Sequence, residues 1–249
     1  MHISMNELKA ALRRCFESVG YFVGNYEDAA NMILWLEKHG LAGLSELERA
    51  LPYIEADSEK PHVSVVYEDS ISATIDCHNR SALNSIAAAV DLAQAKALKS
   101  GISTITVHNC HNRKFVLKAL TDCGRRGISV AAYWRNGSNS ITEHTVAIGS
   151  GDRYPSYIES ETDLVGEDAD RRSLTILCSS RINLAASLQA PVDHATLVNF
   201  SPRAIEANKK RSIDRGIEIN PDLWKRINQI GTGILVANSE RSRADAGGK

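Results

Sequence analysis

Apolar residues recur at helical intervals through the first 55 positions. Leu8, Leu12, Phe16 and Val19 follow Ser4-Met5-Asn6-Glu7, whose Ser and Glu have capping-box spacing, and this predicts a helix that stops at Gly20. Ala29, Met32, Ile33 and Leu36 predict a second helix from about Asn25, ending at His39-Gly40. Glu27 and Asp28 would lie in its first turn, where the helix dipole favours acids. Leu47, Leu51 and Ile54 predict a third helix, opening on Ser45-Glu46-Leu47-Glu48, again of capping-box form. Three short helices bury too little apolar area to stand alone. Residues 1–55 are therefore expected to pack as a helical unit on a larger body.

After a polar linker from Ala56 to Pro61 the period shortens to two. HVSVVY and ISATID alternate as strands around the turn Glu68-Asp69-Ser70. From Ile71 to Asn136 two strand-to-helix units follow each other. ISATID leads through Cys77-His78-Asn79-Arg80 into the alanine-rich SALNSIAAAVDLAQAKALKSG. ISTITVHN leads through Cys110-His111-Asn112-Arg113 into KFVLKALTDCGRRG, and ISVAAYW closes the pair. HTVAIGSG, SLTILCSS and TLVNF read as further strands. The polar stretch from Asp152 to Arg172 shows no legible element and is either a flap or a concealed one. Ser201 and Asn220 as N-caps, with Pro202 and Pro221 at the first helical position, predict two closing helices. The expected organisation is a single α/β domain over residues 1–238, with 239–249 a polar, disordered tail.

Composition narrows the function by exclusion. A formal net charge of −1 creates no field that would draw in nucleic acid or an anionic membrane. No apolar run is long enough to span a bilayer, and MHISMNELKAALRRC lacks the core of a signal peptide. Cysteines 15, 77, 110, 123 and 178 are widely spaced with no CxxC pair, which points to reduced thiols and a cytoplasmic setting. No GxGxxG follows a strand, Gly149-Ser150-Gly151 lacks the lysine of a phosphate loop, and no GxSxG is present.

The doubled CHNR is the chemical peculiarity. If its two strands are neighbours, Cys77, His78, His108, Cys110 and His111 share one edge. Mixed Cys and His ligands suit zinc. However, adjacent ligands in one loop are hard to aim at one ion and the spacing fits no familiar motif, so no metal is assigned. Asn and Arg beside free N–H groups at a helix N-terminus also suit a phosphate or carboxylate. The plain alternative is that His and Asn cap the helices while Arg is solvated. His39 reads as a helix-end cation. Arg49 could grip a carboxylate through a bidentate pair, or lie on a solvated helix face.

The order of these segments resembles the type-2 malate/L-lactate dehydrogenase family. The parts that carry it are ISMNELKAAL, the helix from Asp28 to Leu36, LAGL…RALPYIE, the strand ending at Asp76, VDLAQAKALKSGI, TVHNCHNRKF and GRRGISVAAYWRN, over roughly Ile3 to Gly151. The resemblance implies an α/β fold: a non-Rossmann mixed sheet with flanking helices. It also implies an NAD(P)-dependent oxidoreductase acting on a small 2-oxo or 2-hydroxy acid or a related compound, with NAD or NADP as cofactor and a small carboxylate as partner. Because those dehydrogenases build their sites between subunits, it implies a homodimer. Arg49 falls on the family's substrate-binding arginine, and Asn109, Asn112 and Asn136 become candidate cofactor-binding residues. The departures are specific. SELER stands where the family has Ser-His-Gly, so that proton-transferring histidine has no counterpart. The family's Asn-His appears as His111-Asn112, one place early. Its next Asn falls at Arg135, one place before Asn136. Its later catalytic acid has no clear match after Gly151. His111 is then the remaining acid–base candidate. A non-catalytic ligand-binding or assembly protein that kept the scaffold is the alternative. The chain also resembles a short, uncharacterised bacterial domain family with an N-terminal helix pair and a DLWKRI…SERSRA-like ending.

Overall fold

The computed structural model describes residues 1–55, 63–137, 141–162, 172–187 and 195–234. The linker from Ala56 to Pro61 and the tail 239–249 lie outside these. The chain opens with a short strand β1 (His2–Ile3) and three helices, α1 (Met5–Ser18), α2 (Val23–Lys38) and α3 (Gly43–Glu55). The predicted cap of α1 forms: the Glu7 amide donates to Ser4 Oγ at 3.1 Å, and the Ser4 amide donates to the Glu7 carboxylate at 2.8 Å. The other two helices begin earlier than expected. α2 starts behind Phe22, which has no side-chain acceptor, so its first turn holds no acid and Glu27 and Asp28 sit in the second. α3 starts two residues before Ser45 because its cap comes from α2, where the Glu37 carboxylate accepts the Leu44 amide at 2.9 Å. Gly43 permits that approach: a Cβ there would stand 2.2 Å from the Ile33 carbonyl oxygen.

His39, at the end of α2, is not a helix-end cation. It is 3% exposed, and its Nδ1–H donates to the Trp35 carbonyl at 2.6 Å. Burial lowers its pKa to about 4, so the ring is neutral at pH 7.

The remaining strands are β2 (Ser64–Glu68), β3 (Ser72–Ser81), β4 (Ile102–His111), β5 (Ser129–Asn136), β6 (Ile141–Ile148), β7 (Ser156–Thr162), β8 (Leu174–Ser179), β9 (Ala195–Phe200) and β10 (Ile217–Glu218). Between them run helices α4 (Ile86–Ser100), α5 (Val116–Arg125), α6 (Leu184–Ser187) and α7 (Pro202–Arg215), and α8 (Pro221–Gly231) follows β10. Ser201 and Asn220 cap α7 and α8 as predicted. Eight strands form one mixed sheet in the order β2-β3-β4-β8-β5-β6-β7-β9. β3 and β4 run parallel because α4 carries the chain back between them. β8 enters between β4 and β5 and pairs antiparallel with both. β7 lies in the stretch from Asp152 to Arg172 where no element was legible.

Alternation gives the sheet two unlike faces. Ile75, Ile105, Val107, Val130, Trp134 and Ile176 belong to one buried cluster with residues of α1, α2, α3, α4 and α5. Phe16 and Phe115 are fully buried there, each worth about 2–3 kcal/mol of transfer free energy. On the opposite face the register aligns Thr74, Thr106, Thr175, Tyr133 and Thr145 in one half-buried row. There α6 sets Leu184 on Ala131 and Ala147.

Candidate functional site

The first CHNR segment lies within the end of β3, whereas the second takes the last two residues of β4 and the two that follow, and both turn through left-handed backbone. His78 and Asn79 have φ of 51° and 61°, and Asn109 and Asn112 have 49° and 56°. Asparagine tolerates this region better than other non-glycine residues. This accounts for an Asn in the third place of both copies. The ladder slips between Asp76 and Arg80 and resumes with Arg80 opposite Cys110 and Ser81 opposite His111, in a shifted register.

The first copy closes on itself. Asp76 accepts the His78 amide at 2.8 Å and Asn109 Nδ2 at 3.1 Å, while His78 Nε2 meets Ser64 Oγ at 2.9 Å. Cys77 and Cys110 are buried beneath. Among the described residues no three His, Cys, Asp or Glu side chains converge in a manner that could hold a metal ion.

The second copy borders a cleft of about 640 Å³ between α3, the ends of β4 and β5, and strands β6 and β7. It brings together Arg49, His111, Asn112 and Asn136 of the residues picked from sequence. Asn109 is not among them, being engaged with Asp76. Glu46, Tyr53, Arg113, Lys114, His144 and Glu159 also line it and were not foreseen. Three cations thus face two carboxylates.

At the rim, Arg49 has a side chain 73% exposed and places its guanidinium 3.1 Å from the Glu46 carboxylate. Glu46 also accepts Asn112 Nδ2 at 3.3 Å. His111 stacks on Tyr53, with ring centroids 3.9 Å apart and planes 13° apart. Burial, and then Arg113 and Arg172, lower the His111 pKa, so its imidazole is neutral at pH 7. Among the described residues no hydrogen bond engages its ring nitrogens.

The floor is a directed chain of hydrogen bonds. Buried Arg113 donates to the Arg135 carbonyl at 3.0 Å, to the Ser173 carbonyl at 3.4 Å and to Asn136 Oδ1, tying the end of β5 to the start of β8. An arginine can only donate. Asn136 therefore turns Oδ1 to Arg113 and Nδ2 to His144 Nε2, 2.9 Å away. Nε2 must then accept, which leaves the proton on Nδ1, 2.9 Å from the Tyr157 hydroxyl oxygen. Tyr157 passes its own proton toward Glu159, whose carboxylate also takes Lys114 Nζ at 3.4 Å. Burial lowers the His144 pKa to about 4, Glu159 opposing and Lys114 and Arg113 assisting. Burial works against the Glu159 charge, yet bonds from Tyr157 and Lys114 hold its pKa below the ordinary value. Trp134 lies flat on His144 at 4.8 Å and keeps the ring in plane.

The family described as "Protein of unknown function (DUF3726)" matches residues 3–97. No curated protein matches the chain. Among solved structures, malate dehydrogenase from Pyrococcus horikoshii OT3 superposes with a TM-score of 0.66 at 11% identity, over 95% of this chain and 96% of that one. Malate dehydrogenase from Entamoeba histolytica gives 0.65 at 9% identity, over 96% and 99%. Sulfolactate dehydrogenase from Methanocaldococcus jannaschii gives 0.64 at 11% identity, over 92% and 96%. The likeness runs well past Gly151, where the sequence resemblance ends. Among the described residues no helix is long and apolar enough to cross a membrane. The chain has the mixed-sheet α/β fold of the malate/lactate dehydrogenase-like proteins.

Proposed function

We propose that the chain is an NAD(P)-dependent oxidoreductase of a small 2-oxo or 2-hydroxy acid, with the cleft beside α3 as its active site. The observation that carries this reading is the meeting of Arg49, His111, Asn112 and Asn136, far apart in sequence, around one cleft. Its cations outnumber its carboxylates, which favours an anionic ligand. The Arg49 guanidinium, fixed at one corner by Glu46, keeps donors for a bidentate carboxylate. The cleft volume lies within the range of small-molecule sites.

The residues also fit a nicotinamide. Tyr53 and His111 form a flat aromatic surface at the rim. Asn112 Oδ1 is buried without a partner, an arrangement that costs stability until a donor such as a carboxamide N–H reaches it. Those three residues would hold the ring, which when bound supplies the hydride.

Titrating NADH and NADPH against the protein, and following reduced-nucleotide absorbance with a panel of 2-oxo acids, tests the reading. Saturable binding and substrate-dependent oxidation are expected. Absence of binding by either nucleotide would sink it. One observation favours the non-catalytic alternative: Arg49 and Lys114 each face a carboxylate of their own, Glu46 and Glu159. Ligand binding without turnover would decide for that reading.

A further inference from the structure

We propose that Lys114, positioned by Glu159, delivers the proton to the substrate's carbonyl oxygen, and that His111 is a binding group. This rests on the oxidoreductase reading of the cleft. A general acid needs a proton to give, a partner that aims it, and a place beside the reacting atom. Lys114 meets all three. Its ammonium has three donors, and among the described residues Glu159 is its one hydrogen-bond partner, at 3.4 Å. It lines the same cleft as Arg49, so a ligand whose carboxylate meets Arg49 can turn its carbonyl toward Lys114.

The directed chain on the floor explains why the partner is reliable. It begins at Arg113, which can only donate, and ends at the Glu159 carboxylate, which can only accept. No link can reverse without reversing all of them. Glu159 therefore remains an acceptor for the Lys114 ammonium. The ring of Tyr157 adds a second restraint, with Nζ 5.4 Å from its centroid. His111 has no such support: its ring is stacked on Tyr53 and nothing among the described residues orients its nitrogens. Its depressed pKa also leaves it without the charge of an acid at pH 7.

The step balances. The carbonyl carbon takes a hydride from the reduced nicotinamide and forms a C–H bond. The carbonyl π pair moves to oxygen, which forms an O–H bond with the proton of Lys114 Nζ. The substrate is reduced and the dihydronicotinamide oxidised, and the neutral amine regains a proton from water.

Two substitutions separate proton delivery from anion binding. Lys114→Met removes charge and proton together. Lys114→Arg keeps the charge but cannot give up a proton near neutral pH. Both variants should lose about a hundredfold or more in turnover, the usual worth of a general acid. Lys114→Arg should nevertheless bind oxalate, an unreactive 2-oxo-acid analogue, within a few-fold of wild type. Glu159→Gln should lower kcat with KM little changed, and His111→Ala should mainly raise KM. Independently of turnover, oxalate should protect Lys114 from acetic anhydride, read by mass spectrometry, but not Lys118, which is paired with Asp122. Retained turnover in Lys114→Arg, or no protection of Lys114, would overturn the assignment while leaving the oxidoreductase reading in place. A wild-type protein that neither binds reduced nucleotide nor turns over any 2-oxo acid would overturn both.

Discussion

His39 and His144 are neutral side chains buried in unlike settings, one under Trp35 and Tyr154 and one at the centre of a polar chain. Both have pKa values pushed down to about 4. Each binds its proton more readily unfolded, where the value is about 6.5. The stability they contribute is therefore complete above about pH 6.5 and is lost as pH falls toward 4, by about 3 kcal/mol apiece at most. Histidine NMR titration should show two imidazoles still neutral at pH 5, and the urea midpoint should fall between pH 7 and pH 5. Two rings titrating near 6.5 would contradict the burial argument. Neither environment was legible in sequence. His39 reads from sequence as a helix-end cation because Tyr154, which helps cover it, is far along the chain. Lys114 and Glu159 were missed for the same reason: 45 positions separate them, and Glu159 lies in a stretch with no legible element. Arg49, His111, Asn112 and Asn136, which the resemblance singled out, line one cleft, while Asn109, from left-handed backbone, bonds Asp76 outside it.

Among the elements, caps written locally were readable and caps lent by a neighbour were not. Ser4, Ser201 and Asn220 sit next to the amides they satisfy. α3 takes its cap from Glu37 on α2, so its own Ser45-Glu46 spacing misled. The contact that makes this loan possible is narrow. In Gly43→Ala the new methyl would meet the Ile33 carbonyl at 2.2 Å and the Glu37 amide nitrogen at 2.7 Å, both backbone atoms that cannot swing aside. We expect a loss of about 2–4 kcal/mol in chemical denaturation, within the range for overpacking with a backbone shift. Since α3 also carries Glu46 and Arg49, oxalate affinity should weaken in the same variant. A denaturation midpoint unchanged from wild type would show that α2 and α3 part without cost.

At the scale of the molecule, the sheet and its flanking helices were foreseen from the two strand-to-helix units, whereas strand order was not, since nothing in SLTILCSS says that it belongs between ISTITV and ISVAAYW. Helices α1, α2 and α3 share one buried cluster with the sheet, and α8 packs on α1. An isolated 1–56 fragment should accordingly show no cooperative thermal transition; a sharp one would make it an independent domain. The resemblance leads us to expect a homodimer, so light scattering at micromolar concentration should give about twice 27.2 kDa, and a mass equal to one chain would refute it. The place of β8 bears on how the molecule assembles. Its neighbours β4 and β5 leave a gap that stays open until residues 174–179 arrive. Until then the growing chain can pair β3 with β4 on one side and β5, β6 and β7 on the other, as two separate patches. Arg113, two residues beyond the cleft-side end of β4, lacks the Ser173 carbonyl during that interval. Synthesis stopped short of Ser173 therefore leaves two half-sheets that no strand joins, and closing the gap is the slow, non-local event expected to set the folding rate.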